Sequence, residues 1–206
     1  MSAGSIPHSV AQYLNNCRKL PFEARVALYN EMTGLLRDMV GLDHPVLAVK
    51  LVKPTEVQSN DYNPNRVAPP EMKLLELSMQ KDGVTMPVVA AKNDKGTYVI
   101  VDGFHRTQVI KYYPPVCDAL QGYVPLVELN KGITDRIAAT VRHNVARGSH
   151  KTGLVARLVA LLKKNGWTDE KIGREIGMEP DEVLRLKQLT GLSEVFADQE
   201  FSKSWE

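Results

Sequence analysis

The chain has 206 residues, 43% hydrophobic and 24% charged, with a formal net charge of +2; this suits a folded globular protein of one or two domains and excludes a disordered or fibrous one. Apolar runs such as 153–162, broken by Arg157, fall short of the ~20 residues a bilayer span needs, and residues 1–12 lack a basic-then-apolar leader pattern, so a cytoplasmic protein without membrane contact is expected. Cys17 and Cys117 show no Cys-x-x-Cys spacing, and His8, His44, His105, His143 and His150 include no i, i+4 pair, so reduced structural thiols and no dedicated metal site are expected.

In chain order, residues 9–17 and 21–40 read as helices. The second carries Val26, Tyr29, Met32, Leu36 and Met39 at helical spacing, Pro21 at its start and Gly41 at its end. Residues 46–52 read as a strand closed by Lys53-Pro54, and 58–70, with three Asn, three Pro and one Asp, as an irregular loop. A helix over 71–81 ends at Asp82-Gly83. Strands at 86–91 and 98–101, joined by the turn 93–96, make a hairpin. A short strand at 124–129 follows, and from Thr134 the pattern is wholly helical: 134–146 with Thr134 as N-cap, 154–165, 168–176 with Thr168 as N-cap, and 181–189. The last two, joined by the Gly177-Met178-Glu179-Pro180 turn, make a helix-turn-helix candidate over 168–189, with Ile172, Ile176, Met178, Val183, Leu186 and Leu189 as its core.

The richest stretch is 99–111, Val-Ile-Val-Asp-Gly-Phe-His-Arg-Thr-Gln-Val-Ile-Lys, in which a β-branched strand turns sharply into a helix. Such a junction leaves first-turn N–H groups without partners at the positive end of the helix dipole, which makes an anion site. Gly103 admits a close ligand, while His105 and Arg106 add donors and charge. The alternative is purely structural: Asp102 caps the helix. His105 is open to three roles, as phosphate donor, general acid or base, or structural histidine.

Charge is segregated along the chain. Residues 136–164 hold seven Lys/Arg and no acid, whereas 165–206 hold ten Asp/Glu against five Lys/Arg. Lys151, Arg157, Arg185, Lys187 and Gln188 are the candidate DNA contacts. Glu179, Asp181 and Glu182, however, crowd the start of the second helix, where base-reading residues sit, so a helical bundle for protein contacts stays open.

Three separated segments resemble the ParB-like proteins, whose N-terminal domain shares its fold with sulfiredoxin and a free-serine kinase. Gly83-Val84-Thr85-Met86-Pro87-Val88-Val89 is similar to the family's first nucleotide motif, Asp102-Gly103-Phe104-His105-Arg106 to its phosphate-binding turn, and His143-Asn144-Val145-Ala146-Arg147 to its Glu-Asn-x-x-Arg motif. With Asn60-Asp61-Tyr62-Asn63-Pro64-Asn65, Ala68-Pro69-Pro70-Glu71-Met72 and Leu186-Lys187-Gln188, the set is most similar to IbrB-like regulators. The resemblance implies an α+β protein: a helical extension over 1–44, a ParB/sulfiredoxin-like mixed-sheet nucleotide domain over 45–132, and an all-α domain with the helix-turn-helix over 133–206.

It further implies a nucleoside triphosphate, CTP or ATP with Mg2+, held by Gly83, Thr85, Pro87, Gly103, Phe104, His105, Arg106, Thr107, His143, Asn144 and Arg147. The implied partners are DNA and an IbrA-like protein of the phosphoadenosine-phosphosulfate-reductase type, and a homodimer is left open. The chain departs from sliding-clamp members in two places: Phe104-His105-Arg106 replaces Glu-Arg-Arg, and His143 replaces the glutamate. Asp-Gly-x-His-Arg is closer to the kinase branch, which keeps an alternative alive: an NTPase or phosphotransferase using Asp102, His105 and Arg106, with Glu56 or Asp61 as acceptor-activating acid.

Overall fold

A computed structural model describes residues 6–60, 68–130, 132–145 and 152–195. Two helices open the chain, α1 (His8–Cys17) and α2 (Phe22–Val40), and α2 ends on the left-handed Gly41. The sheet is mixed, with spatial order β1-β5-β3-β4-β2. Its strands are β1 (Lys50–Val52), β2 (Val57–Gln58), β3 (Val88–Lys92), β4 (Tyr98–Asp102) and β5 (Val124–Glu128). β3 and β4 form the expected antiparallel hairpin, with a register shift between Val89 and Ala90. β5 runs parallel to β3, and β2 parallel to β4.

Against the sheet pack α3 (Pro69–Asp82), α4 (Phe104–Tyr112) and α5 (Pro114–Ala119). Their apolar faces bury Met79, Val109, Ile110 and Val116 with Val88, Ala90, Ile100, Val124 and Leu126 of the strands. The second core lies among α6 (Ile133–Val145), α7 (Thr152–Lys164), α8 (Asp169–Ile176) and α9 (Pro180–Val195), around Ile137, Val141, Val159, Leu162, Trp167, Ile172 and Val183. The fold class is the expected α+β.

Several elements differ from the sequence reading for identifiable reasons. The strand expected over 46–52 is a 3-10 turn at Pro45–Leu47 followed by only three strand residues, because Pro45 offers no N–H and the Ala48 N–H closes back on its carbonyl. β2 escaped notice since two residues carry no periodicity, and α5, opened by Pro114-Pro115, follows α4 too closely to show one of its own. Thr134 sits within the first turn of α6 rather than capping it, whereas Thr168 does cap α8, accepting the Lys171 N–H at 3.2 Å. Leu189 is exposed, not core. Of the α2 stripe only Val26 is buried. That helix docks by its other side, where the Asn30 amide donates to the Leu51 carbonyl and accepts its N–H, covering the free edge of β1.

The α8–α9 turn is tight enough to demand glycine at one position. A Cβ on Gly173 would lie 2.7 Å from the Met178 carbonyl oxygen, and the Met178 N–H closes on the Gly173 carbonyl at 2.9 Å. Gly173→Ala is expected to lower the unfolding free energy by about 2 kcal/mol, read as a drop in the urea midpoint.

Candidate functional site at the end of the fourth strand

β4 is a buried Tyr-Val-Ile-Val strand that ends in Asp102, and Gly103 turns the chain with φ 93° and ψ 26° before α4 begins at Phe104. The turn is held from both sides. Asp102 Oδ1 accepts the Gly103 N–H at 2.7 Å, and the Gly103 carbonyl accepts both the N–H and the hydroxyl of Thr107, at 2.8 and 3.0 Å. The N–H groups of Phe104, His105 and Arg106 therefore precede the first intrahelical bond and stand at the positive end of α4.

Arg106 folds back over this turn. Its Nη2 donates to Asp102 Oδ2 at 3.2 Å, and its Nη1 to the carbonyls of Met86 and Pro87 at 2.8 and 3.1 Å. A Cβ on Gly103 would meet Nη2 at 3.0 Å, so glycine is required by both backbone and space. One guanidinium thus brings the segment containing Gly83, Thr85 and Pro87 to the Asp102 turn. From α6, His143 places Nδ1 3.7 Å from Asp102 Oδ2. His105 packs edge-on against Phe104, and burial pushes its imidazole pKa down, which favours a neutral hydrogen-bonding ring near neutral pH.

Not every candidate converges there. Glu56 accepts the Lys53 N–H in a capping box just before β2; since Val57 is level with Tyr98, it stands beside the opposite end of β4 from Asp102. The side chain of Asn144, together with Asp61, Arg147 and Lys151, lies outside the described residues. Two side chains were missed by the sequence reading. Asn60 is buried and donates to the Ile100 carbonyl at 2.6 Å, with its Oδ1 unpartnered; Arg136 is buried on α6 with its Nε unpartnered. Both sit in polar strings whose burial no periodicity reveals.

In the helical part, Arg157 on α7 and Arg185 and Gln188 on α9 are exposed. Lys187 instead shares Asp169 with Lys163, at 2.6 and 2.8 Å, and hydrogen bonds from Lys163 and then Lys187 hold that carboxyl below its usual range. The Glu182 carboxylate turns back to cap α9, accepting the Glu179 N–H at 3.1 Å. No helix among the described residues is long and apolar enough to cross a membrane.

Comparison with known proteins agrees with this arrangement. Residues 42–113 match the ParB N-terminal domain and residues 150–198 the IbrB-like C-terminal HTH domain. The chain is a ParB-like protein with an IbrB-like helix-turn-helix. It belongs to the family of YbdM of Escherichia coli (strain K12), with which it is 45% identical over 187 residues, covering 90% of each chain.

Similar solved structures include the C-terminally truncated chromosome-partitioning protein ParB from Caulobacter crescentus complexed with CTP-gamma-S (20% identity, 72% of this chain, 83% of that chain, TM-score 0.41). The same protein complexed to the centromeric parS site gives 18% identity, 73% and 80% coverage, and TM-score 0.45. A Pnob8-like ParB-N domain gives 13% identity, 73% coverage of each chain, and TM-score 0.47.

Removing the guanidinium cuts the tie between the two segments and takes one partner from the buried Asp102 carboxylate. Arg106→Ala is expected to lose about 2–3 kcal/mol of stability, measured by chemical denaturation.

Proposed function

We propose that this protein is a DNA-binding regulator whose mixed-sheet part, residues 45–132, binds a nucleoside triphosphate and whose helical part, residues 133–206, binds DNA. The observation that carries the reading is the meeting of α6 with the Asp102 turn. Phosphate oxygens accepting the N–H groups of Phe104, His105 and Arg106 would lie beside His143. His143 belongs to the same helix that contributes Ile137 and Val141 to the helix-turn-helix core. A ligand at the turn thereby biases the position of the helical part, which is what a nucleotide-controlled regulator needs.

CTP and ATP, with Mg2+ carried on the phosphates, are the nucleotides to test, and an IbrA-like protein is the partner to test beside them. Binding is favoured over phosphoryl transfer because Asp102 is engaged by the Gly103 N–H, Arg106 and His143, the arrangement of a positioning group.

Titration calorimetry with CTP, ATP and their diphosphates should show saturable binding by one of them; none would overturn the nucleotide half. A bound phosphate raises the lowered His105 pKa, so binding takes up a proton and affinity is expected to rise as pH falls from about 8 to about 6. His105→Gln should flatten that dependence.

For DNA, the exposed Arg185 and Arg157 are expected to contribute more than Lys187, which Asp169 already holds. Arg185→Ala should weaken a gel shift and reduce the salt slope by about 1, and an absence of DNA binding at low salt would remove this half.

A further inference from the structure

The helical hairpin at residues 8–40 lies outside both matched domain families, and it carries eight of the eighteen exposed large apolar side chains of the described residues. On α2 the positions Leu28, Met32, Leu35 and Met39 follow in steps of four, three and four, the 3.5-residue repeat with which one helix packs along another. This seam lies away from the body, because Val26 and Asn30 make the contacts to the rest of the chain. Leu35 is 62% and Met39 75% exposed. α1 buries no residue, and between it and α2 runs a groove of about 290 Å³ walled by Leu14, Leu28, Met32 and Leu36.

We propose that this face is a dimer interface, occupied by α1 and α2 of a second copy of the chain in an antiparallel, two-fold arrangement. Three features select that occupant. A heptad seam is self-complementary, since each Leu and Met knob finds the same spacing on the copy. The exposed apolar side chains from Val10 to Leu47, summed over all sides of the hairpin and its exit, come to on the order of 1,000 Å², the same order as the ~800 Å² per partner of a standard interface.

Charge sets the direction. Arg18 and Arg25 line the groove where α1 ends and α2 begins, while Asp43 flanks the far end of α2, where Arg37 already holds Asp38 at 3.0 Å. Antiparallel pairing puts the basic end of each copy on the acidic end of the other, twice by symmetry. Parallel pairing would set like charges together.

The test is the mass of the full chain by sedimentation equilibrium. The wild type is expected to be a dimer without nucleotide or DNA. Leu35→Glu with Met39→Glu should raise its dissociation constant at least ~100-fold with an unchanged far-UV spectrum, because both side chains already face solvent. Arg25→Glu should weaken it about tenfold, and Arg25→Glu with Asp43→Lys should restore it. A wild-type monomer would overturn the proposal and assign the face to a different protein. A dimer that survives the Leu35/Met39 pair would place self-association elsewhere, and a failed charge rescue would overturn the antiparallel arrangement.

Discussion

The site depends on one guanidinium clamped over a glycine. Arg106 sits a single helical turn after Asp102, a spacing that lets it return to the carboxylate, and the left-handed Gly103 removes the side chain that would block the return. Because Nη1 also holds the Met86 and Pro87 carbonyls, the chain entering β3 and the chain leaving β4 are fixed to each other at the edge where the first-turn N–H groups of α4 emerge. Preorganised donors of this kind lose little on meeting an anion, since their geometry is set before it arrives. The same carboxylate is the surface against which His143 rests, so the clamp also sets where the last turn of α6 lies.

α6 is the element both halves share. Ile137, Ala138 and Val141 face the helix-turn-helix core, and Arg142 donates through Nη1 to the Glu175 carbonyl at 2.6 Å, tying α6 to α8. Ala139 and Thr140 are buried as well, although Ala139 is outside that core, and His143 faces Asp102. A helix buried on two sides transmits a displacement at one side to the other, because close packing leaves little room for local absorption.

Strands and helices with strong periodicity were legible, and so was the hairpin leading to the Asp102 turn, because a β-branched apolar run along 99–101 and a glycine at the junction have few structural meanings. The residues that close the site were legible only by type. An arginine four positions after an aspartate reads equally as an exposed helix pair or as a buried clamp, and only the approach of Met86 and Pro87 in three dimensions decides it. Glu56, a candidate only as the acceptor-activating acid of the phosphotransferase alternative, could not be placed from sequence: a local capping box and the parallel register of β2 set it beside the far end of β4. The α2 stripe was legible as apolar and helical, but periodicity is the same whether a face meets its own chain or another.

The histidine at 143 follows from the buried aspartate. A glutamate there would bring a second carboxylate close to Asp102 Oδ2, where His143 Nδ1 stands at 3.7 Å. At such a separation and an effective dielectric near 20, like charges repel by roughly 4 kcal/mol. A histidine removes that repulsion. Asp102, compensated by Arg106, then organises the turn without adding net negative charge, and His143 adds none of its own at the N-terminus of α4. The substitution that separates this chain from the Glu-Asn-x-x-Arg pattern is thus matched to its own turn, in which a neutral-leaning His105 supplies a hydrogen-bonding ring and Arg106 the compensating charge.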